Sequence, residues 1–443
     1  MQFKFLNYRF DKENLTAFFS YEGPTGVRFT EMVQFSEPPA KDTVNNVGVE
    51  NENSVNGGVK QFFRTEHEEK ILDAALFLCF ILIGTSYYKA QPTREVNLEY
   101  ALDENQARFF NAVYQEGLSQ YAYENGLARR DLAHFQVSTD TRGENIALEL
   151  PDDFSGVLSM QSGGKDSLLT AKILQEGGGK YSFWHLGNTE KYPELLRKLP
   201  GELQVGVRTI DMEALKIAGG LNGHVPVTYI VQALAVVQAL INHQRAVVVS
   251  VGHEGVEPHA VISDEEGDLA INHQWSKTPE AERLFSEYIK RYISPDFEVY
   301  SILSKYSELR IAELFAEKCW AEYGHEFSSC NVANYRQGND DKKLKWCGHC
   351  PKCANSYLLF CPFVETEDLN SLFPNGNLFL EPSLTDDFKG LLGVGDVMKP
   401  FECVGERVEL QKAYSMRLNK NPDSSLPFEV PMAPEDYDFR QVF

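Results

Sequence analysis

At the amino terminus apolar and polar side chains alternate. FKFLNYRF, LTAFFSYE and VRFTEMVQF each turn every second residue to one face, the period of a half-buried strand. The Gly23-Pro24-Thr25-Gly26 signal between the last two predicts a hairpin. Residues Pro38 to Val59 have no sustained period and read as a loop. The spacing then changes to three and four, predicting helices over Thr65 to Ser86 and Asp103 to Tyr123. In the second of these, Phe110, Val113, Tyr114, Leu118 and Tyr121 share a face, and Asp103 with Gln106 has the form of a capping box.

Beyond Leu150 strands and helices alternate. Strands are expected at Gly156 to Gln161, Tyr181 to Leu186 and Ala246 to Val251. Helices are expected from Asp166, around Tyr192 to Lys198, and from Pro226 through Asn242. Such alternation predicts an α/β fold with a doubly wound parallel sheet. Further helices near Thr366 to Phe373 and Thr385 to Leu392 precede a Pro-rich acidic tail, expected to drape over the surface. The division this suggests is an α+β domain over 1–150, a nucleotide-binding domain over 151–325, and a cysteine-bearing extension over 326–443.

Composition narrows the partners. Asp and Glu total 64 against 42 Lys and Arg, a formal charge of −22 that repels phosphate backbones, so neither nucleic acid nor an acidic membrane surface is an expected partner. The longest apolar run, Ala74 to Gly84, falls short of the roughly 20 residues that cross a bilayer and is expected to be a buried helix. The amino terminus alternates like a strand and lacks a signal-peptide pattern, so a cytoplasmic location is expected.

Candidate chemistry concentrates in two motifs. After the strand GVLSM comes Ser162-Gly163-Gly164-Lys165-Asp166-Ser167 and then a helix. The paired glycines let an oxyanion approach backbone N–H groups while the helix points its positive end at the same spot. Ser162 and Ser167 add hydroxyl donors, Lys165 a cation, and Asp166 makes sense beside phosphate only with Mg²⁺ between them. The spacing differs from the Walker A pattern. The second motif is Cys330 with Cys347, Cys350 and Cys353, which can present four thiolates to a structural Zn²⁺ while His349 stays outside.

SGGKDS resembles the PP-loop of ATP pyrophosphatases, which implies ATP cleaved to AMP and pyrophosphate, with Trp184 to Asn188, His185 among them, as a nucleoside wall. Three more runs carry reactive side chains where strands meet helices: His224 in NGHVPVT, His253 and Glu254 in VGHE, and His273 and Lys277 in NHQWSK. A fourth, SILSKYSELRIAELF, carries Arg310. Together with FTEMVQF, SYYKA and WCGHCPKC, these runs resemble the UDP-N-acetyl-α-D-muramoyl-L-alanyl-L-glutamate epimerases of peptidoglycan synthesis over nearly the whole chain. That resemblance implies ATP- and Mg²⁺-dependent inversion of the terminal L-Glu of UDP-MurNAc-L-Ala-L-Glu.

The implied chemistry suits the residues. Stripping the α-proton beside a free carboxylate would place two negative charges on one group; adenylation removes the first and acidifies the carbon. His253, Glu254 and His273 are the candidates for proton transfer, and Lys277 and Arg310 for clamping anionic groups. His224 and His185 are assigned to the nucleotide. Two other readings compete: an ATP-dependent amidating or tRNA-modifying enzyme akin to 7-cyano-7-deazaguanine synthases, and a zinc-stabilised nucleotide-binding scaffold.

Overall fold

The computed structural model describes residues 1–38, 65–138, 147–265, 267–336, 342–421 and 425–443; residues 39–59 of the expected loop lie outside them. Three amino-terminal strands, β1 (Phe3–Asp11), β2 (Thr16–Glu22) and β3 (Arg28–Gln34), form an antiparallel meander whose inward faces carry the alternate apolar residues. The long helix α1 (Glu66–Tyr88) and the short strand β4 (Val96–Leu98) follow. Then come α2 (Glu104–Gln115) and α3 (Ser119–Glu124). The wound portion continues with β5 (Val157–Met160), α4 (Lys165–Gly177), β6 (Tyr181–Gly187), β7 (Leu203–Thr209), α5 (Met212–Ala218), α6 (Val227–Ile241) and β8 (Ala246–Val249). A small hairpin, β9 (Ala260–Asp264) and β10 (Gly267–Ile271), precedes α7 (Pro279–Tyr292), β11 (Glu298–Ser301) and α8 (Glu308–Lys318).

All but the small hairpin join one nine-stranded sheet in the order β11-β8-β5-β6-β7-β3-β2-β1-β4. The pairings from β11 to β7 are parallel, as the alternation of strands and helices predicts, while β7 meets β3 antiparallel through Val207 to Thr209. The meander and the wound portion therefore share a sheet, and a buried ion pair reinforces the seam. Glu31 on β3 accepts from Arg208 on β7 at 2.5 and 3.2 Å, and from Tyr87 Oη at 2.9 Å. A carboxylate with no exposed surface would cost several kcal/mol without such partners.

α1 shows why the apolar stretch folds inward. Thr65 caps it in a full capping box with Glu68, and Ile71 to Tyr88 are almost all buried against β1, β2 and α6. The helix extends the Ala74 to Gly84 run in both directions. At 23 residues, with an 18-residue window of mean hydropathy 1.8, it is long and apolar enough to cross a membrane by length and composition, yet 89% of that window is buried within the protein. Phe80 stacks on Tyr21 and meets Phe5 edge-on at 5.4 Å, so truncation to Ala would cost about 3–5 kcal/mol.

The helix expected over Asp103 to Tyr123 is broken. Its capping box forms, but α2 stops at Gln115 and α3 restarts at Ser119. Gly117 lies in the break, crowded by the Val113 carbonyl and Pro226. Tyr192 to Lys198 contains a 3₁₀ turn, Glu194–Lys198, in place of an α-helix. At the carboxyl end a helix over Arg407–Lys420 and buried Leu426 and Phe439 tie the tail into a second core with the helix Pro351–Phe360.

Candidate active site

The carboxyl ends of β5, β6 and β8 open into a cavity of about 820 Å³, the place where parallel sheets gather ligands. Ser162, Gly164, Asp166 and Ser167 line one end of it. The loop owes its shape to two different glycines. Gly163 has φ +84°, and a Cβ there would come within 2.7 Å of Leu344 Cδ1; Gly164 has φ −82°, and a Cβ would meet only Ser162 Oγ at 3.7 Å. The first is required by the fold, while the second keeps open the space ahead of the 13-residue helix α4. Ser167 Oγ donates to the Gly164 carbonyl at 3.1 Å and accepts from Ser162 N at 3.4 Å, drawing the loop around that helix end. Backbone donors, two hydroxyls and a cavity-facing carboxylate fit a polyphosphate with its divalent cation.

Lys165 turns away from that end. Its Nζ donates to Asp166 Oδ1 and to Glu308 Oε2, each at 2.6 Å, in a site where the lysine is 7% exposed. Sequence reasoning could not see this partner, 143 residues downstream. Burial, opposed by Lys165 and reinforced by Asp166 and Glu254, pushes Glu308 up to about 7. Glu409 lies behind it, accepts from Leu309 N at 3.0 Å, and is raised by burial and by Glu308. The loop thus rests on a buried layer of carboxylates and one lysine.

Trp184, His185 and Leu186 of the expected nucleoside wall line the cavity; Gly187 and Asn188 do not. His185 Nδ1 pairs with the Gln161 carbonyl at 2.9 Å, and burial lowers its pKa. His224, His273 and Lys277 line the other end. The rings of His224 and His273 lie 4.2 Å apart at 43°. Burial lowers both, to about 3 for His224 with His273 adding to the effect, and to about 4 for His273, so both are neutral imidazoles at pH 7.

Glu254 is buried just behind this wall, accepting from Gln274 Nε2 at 2.8 Å and from Lys277 Nζ at 3.3 Å. Burial raises its pKa against the pull of Lys277. Burial also opposes the charge on Lys277, but Cys403, Glu254, Glu308 and Asp166 around it hold its pKa above the ordinary value. His253 and Arg310 lie outside the cavity lining. The His253 ring stacks on Phe443 at 3.9 Å, and Arg310 pairs with Glu313, which also holds Arg440.

Gln120 and Glu124 on α3, Lys352 and Cys403 also line the cavity. None stood out in the sequence, although Lys352, set between Cys350 and Cys353, carried a signal by position.

The four cysteines converge. Their sulfurs lie within 4.8 Å of one another, with Cys330–Cys350 and Cys347–Cys353 at 3.7 Å and Cys350–Cys353 at 3.6 Å. Zn–S bonds of about 2.3 Å in a tetrahedron give edges of about 3.8 Å, so the set fits zinc. Gly348 N at 3.3 Å and Ala333 N at 3.4 Å donate to sulfur, as thiolates require, while exposed His349 bonds its own loop. Cys330 separates cavity-lining Ser329 and Asn331, so the cluster also holds part of the cavity wall.

Two family models match the chain: one described as the MurL N-terminal domain over residues 1–302, the other as the MurL C-terminal domain over 326–428. Similar proteins named UDP-N-acetyl-alpha-D-muramoyl-L-alanyl-L-glutamate epimerase occur in Micromonospora sp. and Xanthomonas oryzae pv. oryzae. The first is 31% identical over 94% of this chain and 86% of its own length. The second is 32% identical over 77% and 74%. A third of that name, from Salinispora tropica, is 31% identical over 94% and 84%.

Proposed function

The chain belongs to the family of UDP-N-acetyl-α-D-muramoyl-L-alanyl-L-glutamate epimerases, and from that premise we propose that it inverts the terminal L-Glu of UDP-MurNAc-L-Ala-L-Glu to D-Glu in the cytoplasm, consuming ATP. When bound, ATP with Mg²⁺ would supply the adenylyl group that masks the glutamate α-carboxylate, with pyrophosphate released. Ser162, Gly164 and Ser167 receive the phosphates at the start of α4, and Asp166 holds the cation. His185 and Trp184 border the nucleoside. Lys277 and Lys352 offer the cavity's anionic occupants positive partners.

With one negative charge removed, the α-carbon gives up its proton to a neutral base. His273 is that base in this reading, because burial keeps its ring unprotonated at neutral pH. Inversion needs a second proton-bearing group on the opposite side of the carbon. Cys403 and Lys277 also line the cavity and are the groups to test for that role. Zinc on Cys330, Cys347, Cys350 and Cys353 is structural, holding Lys352 and Asn331 at the wall.

The observation that carries this reading is that the glycine-bearing amino-terminal end of α4 and the paired imidazoles of His224 and His273 open on one cavity. Incubating the protein with UDP-MurNAc-L-Ala-L-Glu, ATP and Mg²⁺ in D₂O should place deuterium at the glutamate α-carbon, yield D-Glu after hydrolysis, and release pyrophosphate. Release without deuterium would leave an adenylating enzyme of another class.

A further inference from the structure

The amino-terminal part of the chain has no role in the chemistry described so far, yet it touches the reacting end of the cavity through one short helix. From α3, Ser119 Oγ accepts from Asn272 N at 3.1 Å, and Gln120 Oε1 lies 2.6 Å from His273 Nδ1. The two consecutive contacts dock the helix along the loop that carries the histidine. Asn272 donates on its other side to the Gly255 carbonyl at 2.5 Å and accepts from Gln274 N at 2.9 Å, so the loop is fixed from several directions.

The amide of Gln120 decides the tautomer. Its Nε2 donates to Glu124 Oε1 at 2.9 Å, which leaves Oε1 as the atom facing the imidazole. A carbonyl oxygen only accepts, so His273 carries its proton on Nδ1 and its lone pair on Nε2. Gln120 and Glu124 both line the cavity, and the tilted neighbour His224 contributes no charge near neutral pH.

We propose that Glu124 and Gln120 are positioning residues for the epimerisation: a carboxylate–amide–imidazole chain from the amino-terminal segment that fixes His273 in the Nδ1–H tautomer and steadies the imidazolium formed when Nε2 takes the α-proton. This rests on the epimerase reading. In the step, the α C–H bond breaks, the proton passes to Nε2, and the electron pair delocalises into the activated acyl group. The Nδ1–H bond to Gln120 then becomes charge-assisted, with Glu124 polarising the amide from behind. The charged and titratable groups around His273 are His224, His259, Lys277, Lys352, Glu402 and Glu124; the lysines oppose the imidazolium and the two carboxylates favour it.

The test compares Gln120→Leu, Gln120→Glu and Glu124→Gln with the unaltered enzyme, following α-deuterium incorporation and pyrophosphate release in the same D₂O reactions from pH 3 to 9, a range that spans the acid limb set by His273. Gln120→Leu frees the tautomer and should lower the ratio of exchange to release on the order of a hundredfold. Gln120→Glu keeps an acceptor and adds charge, so exchange should largely return while the acid limb of its pH profile moves upward, because the base must be unprotonated and the carboxylate holds its proton longer. Glu124→Gln should move that limb downward. Unchanged exchange-to-release ratios and coincident pH limbs in all three variants would overturn the proposal while leaving the epimerase intact. Absence of exchange in the unaltered enzyme would instead remove the epimerase reading itself.

Discussion

Gly163 and Gly164 stand side by side and should fail in different ways. Substituting Ala at Gly163 places a Cβ at φ +84° and 2.7 Å from Leu344 Cδ1, with Leu195 Cδ2 at 3.1 Å. The left-handed backbone costs about 1–2 kcal/mol and the overpacking about 1–3 kcal/mol. After the smaller gain from stiffening the unfolded chain, roughly 2–4 kcal/mol of stability should be lost. At Gly164 the φ of −82° suits any residue and no neighbour is nearer than 3.7 Å. The cost of Ala as a helix cap and the gain from the stiffer unfolded chain, each about 0.5–1 kcal/mol, nearly cancel. Its methyl group nonetheless occupies the space that the proposed function gives to phosphate oxygens. Urea titration followed by tryptophan fluorescence, with pyrophosphate release on the same preparations, separates the two effects. Gly163→Ala should shift the midpoint, whereas Gly164→Ala should keep the midpoint and lose release at saturating peptide. Should Gly164→Ala release pyrophosphate at the normal rate, the phosphate reading of the loop is wrong.

Three other outcomes follow from the same geometry. Lys165→Met strands Asp166 and Glu308 without their cation and should cost about 3–5 kcal/mol in urea, part of it recovered by adding Glu308→Gln; a loss below about 1 kcal/mol would show that the pair contributes little. His224 and His273 bind protons less readily folded, at about 3 and about 4, than at the unperturbed 6.5. The unfolded chain therefore takes up more protons in that window, and stability should decline as pH falls from about 6.5 toward 4; a double Asn variant should flatten the decline, and equal slopes would refute the assignment. Zinc analysis of purified protein should give one ion per chain with four sulfur neighbours at about 2.3 Å by X-ray absorption, and a ratio far below one would remove the structural-zinc claim.

What could be read from the sequence was what lies close together in it. Alternation exposed β1, β2 and β3, the strand-loop-helix order exposed the glycine-bearing turn that opens α4, and the cysteine spacing exposed the convergence of four sulfurs. Distant pairings stayed hidden. The pairing of Lys165 with Glu308, the stacking of His253 on Phe443 and the pairing of Arg310 with Glu313, which also holds Arg440, have no signature in the sequence. Gln120 and Glu124 gave no signal, since a polar pair four apart on a helix ordinarily faces solvent. The strand β11 (Glu298–Ser301) is not among the expected strands, and the helix expected around Tyr192 to Lys198 is a short 3₁₀ turn, since local spacing marks a helical segment without fixing its type.

The seam between β7 and β3 bears on how the protein can be divided. A fragment beginning after Leu150 would keep the Ser162–Ser167 loop and the cysteines, but β7 would become a bare sheet margin with unpaired N–H and C=O groups, an invitation to self-association. Arg208 would lose Glu31, leaving a guanidinium stranded in an apolar surface. Its histidine loop would also shed Ser119 and Gln120. Dissecting the enzyme into halves for biochemistry should accordingly yield aggregates, and complementation would succeed only if the halves are produced together.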